Sequence, residues 1–72
     1  MSHWTTIKTQ IRDADALTMA ARELGLHVSK SGYARGWAGN TKASEYVIHL
    51  PGNYDIAVNR ATDGTYSLDA DL

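Results

Sequence analysis

The sequence predicts an α+β fold, an antiparallel sheet of four to five strands with one helix packed on one face, in the order β-α-β-β-β-β. Three observations predict it. Apolar and polar residues alternate from Ile7 to Ile11, one stretch from Ala14 to Leu24 has helical spacing, and the later segments are extended. Those extended segments are joined by connections of hairpin length, which favours antiparallel pairing.

Each element has its own signal. Ile7, Thr9 and Ile11 interleave with Lys8 and Gln10, the period of a half-buried strand. Asp13 can cap the following helix by accepting a backbone N–H, and Asp15 in its first turn complements the helix dipole. Leu17, Ala20, Ala21 and Leu24 recur at helical spacing with Arg22 and Glu23 turned outward, and Leu24-Gly25-Leu26 reads as a Schellman stop. His27 and Val28 read as a short strand, then a loop through Ser31 and Gly32 leads to Tyr33–Trp37. Gly39-Asn40 supplies turn chemistry before an extended run from Ser44 to Leu50, so these segments form a hairpin. Pro51-Gly52-Asn53 is the strongest turn signal, because proline presets one backbone angle and glycine accepts a positive one. Tyr54–Arg60 follows as a strand, Thr62-Asp63-Gly64 reverses the chain, and Thr65–Ala70 returns as the last strand.

Seventy-two residues make a single compact domain over 1–72, without internal repeat, linker or low-complexity tract. A chain of this size buries only roughly 60% of its unfolded surface and is marginal alone. It has no Cys and three scattered His, so self-association or a partner is the expected supplement. No apolar run reaches membrane-spanning length and the first residues lack the features of a secretory signal, so the cytoplasm is the expected compartment. A formal net charge of −1 removes any global electrostatic drive toward nucleic acid or an anionic membrane. The charge is uneven: residues 1–42 carry six basic and three acidic side chains, net +3, and residues 43–72 carry one and five, net −4. In a compact domain the two halves interleave, and the asymmetry serves the fold or a head-to-tail contact.

Side-chain parity assigns the faces. Ile7, Ile11, Tyr46, Ile48, Ile56, Val58, Tyr66 and Leu68 would meet the helix, with Trp4, Arg35, Trp37, Val47 and His49 opposite. One helix cannot cover both sides of a sheet. A second face bearing two tryptophans must be buried by another chain or by a loop of this one, so these five residues are the expected protein interface.

Other constellations are weaker. His49 and Asp55 can meet across the Pro51-Gly52-Asn53 turn, but a hairpin makes them neighbours without catalysis. With no nucleophile elbow or phosphate loop, no catalytic or cofactor residues are expected. His3, His27 and His49 show no ligand spacing and read as hydrogen-bonded or solvated, so no metal site is assigned. Asp69 and Asp71 alternate on the last strand and could bind a hard cation, but the commoner meaning is a solvated edge whose charges block strand addition. Tyr33, Arg35, Trp37 and Lys42 could stack bases and contact phosphates, which makes a single-stranded nucleic-acid-binding module the alternative to protein contact. Trp and Arg anchor protein interfaces equally well, and the net negative charge favours protein contact.

Several short blocks also carry a resemblance. Met1-Ser2-His3-Trp4, Thr6-Ile7-Lys8-Thr9 and Asp13 are followed by Leu24-Gly25, Arg35-Gly36-Trp37-Ala38-Gly39, Tyr54-Asp55-Ile56 and Ser67-Leu68-Asp69-Ala70-Asp71. In that order they resemble the hypothetical chloroplast open reading frame 35 family, also called domain of unknown function 1257. The resemblance implies a cyanobacterial or plastid setting, or a phage of such a host, and it implies no activity. Two departures stand out: Ala57-Val58 replaces the family's Gly-Phe after Tyr54-Asp55-Ile56, and the sequence ends at Leu72 where longer relatives continue into a helical segment. The expected function is therefore a small non-enzymatic interaction or regulatory protein, working as a homo-oligomer or with a host protein.

Overall fold

Asp13 begins the helix by accepting the Asp15 N–H at 3.0 Å, as its position before an apolar stretch requires. The computed structural model describes residues 4–71. Helix α1 (Ala14–Glu23) ends in the expected Schellman motif: Gly25, at φ 80°, donates to Arg22 O at 2.9 Å and Leu26 donates to Ala21 O at 3.0 Å. Five strands make one antiparallel sheet: β1 (Trp4–Lys8), β2 (His27–Arg35), β3 (Thr41–His49), β4 (Asp55–Arg60) and β5 (Tyr66–Asp71), in the order β1-β5-β4-β3-β2. The expected α+β class, single helix and strand count are thus observed.

Beneath the helix, Leu17 and Ala21 pack with Ile48, Val58 and Tyr66. Burying each large apolar side chain there contributes about 1.5–3 kcal/mol, and the buried Tyr66 hydroxyl is satisfied by Arg60 at 2.7 Å. Parity placed seven of the eight expected residues in or against this cluster. Ile7 is the correction, at 59% exposure: the cluster runs from Val28 on β2 to Leu68 on β5 and stops short of edge strand β1. Ala20 and Leu24 are likewise exposed, because the helix buries only the Leu17–Ala21 line against the sheet.

The other departure is β2. Residues expected as strand, loop and strand form one continuous strand, with Ser31 at φ 61° as a kink and the ladder to β3 resuming unshifted at Gly32↔Ser44. Opposite the kink, β3 leaves β4: backbone pairing stops at Tyr46↔Val58, and the Asn59 carboxamide takes over, accepting from Glu45 N–H at 3.0 Å and donating to Ala43 O at 3.2 Å. The far arm of the β2–β3 hairpin is then free to leave the sheet plane. It returns across the second face, where a short 3-10 turn (Trp37–Gly39) meets β5 although β4 and β3 separate β5 from β2 within the sheet. Ala34 from this arm joins Val47 and Ala57 in a second small core, with Trp4 packed against it. The second face is therefore covered by a loop of the same chain.

Candidate functional site

Strand register lines up five side chains across one end of the sheet. Trp4 pairs with Asp71, His49 with Asp55, and His27 with His49, while Ile56↔Ala70 puts Asp55 level with Asp71. Two of them are buried carboxylates: Asp55 is 1% exposed and Asp71 is 2% exposed. Burying a carboxylate is costly unless it is paired, so each must find donors. The folded-back hairpin arm supplies them.

Arg35 grips Asp55 three times. Its Nε donates to Oδ2 at 2.9 Å, its terminal nitrogen to Oδ1 at 3.0 Å, and its backbone N–H to Oδ2 at 2.9 Å. The fork-to-fork geometry is what a guanidinium offers and an ammonium does not. Arg35 hydrogen bonds hold the Asp55 carboxyl below its usual range against the opposing effect of burial, helped by the charges of Arg35 and His49. The same pairing raises Arg35 above its ordinary value. A further bond from Arg35 to Gly52 O at 3.3 Å ties the arm to the Pro51-Gly52 turn.

Asp71 anchors the next residues, accepting the Trp37 N–H at 2.7 Å through Oδ2. Among the described residues its Oδ1 has no hydrogen-bond partner. Asp69, on the same strand and also buried, accepts from the Thr6 hydroxyl and lies 3.8 Å from Lys42 Nζ, which sits 5.9 Å over the Trp4 ring. These positions correct the expectation of solvated edge charges at Asp69 and Asp71. Strand β5 is interior to the sheet, between β1 and β4, and its odd-numbered side chains face the covering arm.

Above these anchors, residues 35–41 and the Asn53-Tyr54 pair enclose an open groove of about 820 Å³. Trp37 stands in its wall, 48% exposed, and Tyr54 lines it as well. The five expected interface residues thus separate. Arg35 and Trp37 line the groove, Trp4 is half-buried against the second core, and His49 lies half-buried beside Asp55. Val47 is corrected: at 2% exposure it is an interior residue of the second core and offers no contact surface. Of the four residues of the nucleic-acid alternative, Tyr33 and Trp37 are exposed, whereas Arg35 and Lys42 are already turned to Asp55 and Asp69.

His49 and Asp55 do meet, with Nδ1 3.3 Å from Oδ1, and Ser29 Oγ lies 2.8 Å from His49 Nε2. Ser29, His49 and Asp55 stand in the order of a hydroxyl, base and orienting acid. Ser29 and His49 are not among the residues that line the groove. His27 lies beside His49 with ring centroids 5.4 Å apart, while His3 lies outside the described residues. Among the described residues no group of three His, Cys, Asp or Glu could hold a metal.

Sequence reasoning missed Asp55, Asp69 and Asp71 as buried anchors, and missed Tyr54 as a groove residue. A usable signal existed in the charge asymmetry, since Arg35 and Lys42 belong to the basic half and their carboxylate partners to the acidic half. Comparison with protein-family models, curated proteins and solved structures yields no match. No described helix is long and apolar enough to cross a membrane.

Proposed function

We propose that this chain is a small non-enzymatic interaction module that contacts a protein partner, a second copy of itself first of all, through the groove at the hairpin tip. The observation that supports it is the combination at Trp37 of a half-exposed indole and a backbone N–H fixed to a buried carboxylate. An aromatic anchor presented on a backbone already fixed loses little freedom on binding. Arg35 stands beside it with its guanidinium oriented by Asp55, and Tyr54 provides a second aromatic wall. Arg and aromatic side chains are the types enriched at interface centres. Single-stranded nucleic acid is less favoured, because Arg35 and Lys42 face carboxylates of their own chain.

The resemblance to the hypothetical chloroplast open reading frame 35 family supports a cyanobacterial, plastid or phage setting for this contact. The proposal is tested by sedimentation velocity over a wide concentration range. Self-association is expected, and Trp37→Ala should weaken it by more than about 2 kcal/mol if the indole is a central anchor. A monomer at high concentration, or a dimer unaltered in Trp37→Ala, overturns the self-contact.

A further inference from the structure

We propose that His27 and His49 form a two-imidazole chelate for a zinc-class divalent cation. The two residues are directly opposed on neighbouring strands, so the ladder itself holds their rings together. Ring centroids lie 5.4 Å apart with planes tilted 34°. A tetrahedral ion about 2.0–2.1 Å from one nitrogen of each ring sets the two centroids about 5 Å apart, close to the separation observed.

A second observation lies behind the ring. His49 Nδ1 faces Asp55 Oδ1 at 3.3 Å, and Asp55 is itself buried and fixed by Arg35. A carboxylate behind a ligating imidazole fixes its orientation and tautomer and strengthens the other nitrogen as a donor. That nitrogen, Nε2, has the Ser29 hydroxyl 2.8 Å away, and an incoming ion takes the place of that hydroxyl. Imidazole donors select zinc, copper or nickel over magnesium or calcium. Two protein ligands leave two positions for water, and His27 is exposed, so the ion enters from solvent. None of the groove residues proposed for protein contact ligates the ion, so this site stands apart from that reading.

The test is zinc titration of the full-length chain by calorimetry and by NMR of the imidazole protons. One ion per chain is expected, with the His27 and His49 ring signals shifting together and those of His3 unmoved. His27→Ala and His49→Ala should each weaken binding more than ~10-fold, Asp55→Asn by about 10- to 100-fold, and His3→Ala should leave it unchanged. The wild-type ring shifts decide the matter even if a variant folds poorly. No binding at millimolar zinc, or binding that follows His3 instead of His27 and His49, overturns the proposal.

Discussion

At Gly36 the hairpin arm runs so close to the sheet that an added Cβ would stand 2.6 Å from Asp71 Oδ2 and 2.8 Å from Trp4 Cζ2. Its backbone is extended, φ −124° and ψ −161°, so the position needs glycine for space and not for conformation. Neither neighbour yields easily: Asp71 is tied to Trp37 N–H, and Trp4 is packed against Ala34, Val47 and Ala57. Gly36→Ala should therefore destabilise the fold by about 1–3 kcal/mol, the usual cost of overpacking, and should lift the arm from Trp4. Urea unfolding followed by tryptophan fluorescence checks both effects. Wild-type stability in that variant would contradict the close packing of the arm. Gly25 obeys the opposite logic, with φ 80° and open space around it. Gly25→Ala should cost about 1 kcal/mol through backbone conformation alone, read as a lower urea midpoint without spectral change.

Among the elements, those set by local chemistry were legible in the sequence and those set by distant contacts were not. Asp13, Gly25, Pro51-Gly52 and Asp63-Gly64 each act within a few residues, and each marks the boundary or reversal expected of it. The expected break in β2 at Ser31 and Gly32 turned out to be a kink inside one strand, because pairing with β3 on both sides holds the chain extended. Nothing near Asn59 in sequence announces that its carboxamide will replace the β3–β4 ladder, since its partners at Glu45 and Ala43 are 14 and 16 residues away. This substitution is what lets the hairpin arm leave the sheet. Asn59→Ala should remove two hydrogen bonds worth about 1 kcal/mol each and accelerate amide exchange at Glu45 while leaving the exchange of Val58 little altered. Equal acceleration at both positions would mean that the whole sheet loosens and that Asn59 is no local splice.

Over the whole molecule, the hairpin arm closes onto the sheet through two ion pairs, Arg35 with Asp55 and Lys42 with Asp69, each joining a base from residues 1–42 to an acid from residues 43–72. Parity put Trp37 on the second face at the end of a strand, but it stands in a 3-10 turn at the hairpin tip and is 48% exposed, and the burial of Val47 depends on a fold-back that no local pattern encodes. The same closure makes stability sensitive to acid. Asp55 has a folded-state pKa below its ordinary value of 3.8, caused first by the Arg35 hydrogen bonds. A depressed carboxylate contributes stability that is fully present above the unfolded value and is lost as pH falls through the folded one. Unfolding free energy, measured in urea with a chelator present, should therefore hold near neutral pH and drop steeply below about pH 4 as Asp55 takes up a proton and releases Arg35. Asp55→Asn should be less stable than wild type at neutral pH and show a shallower decline in acid, because the proton-linked pair is already gone. High salt should leave much of the difference intact, since the carboxylate is buried even though the guanidinium is half-exposed. Parallel acid profiles for the two proteins would show that Asp55 does not couple the arm to the sheet, and that the groove is held open by packing at Gly36 and Trp4 alone.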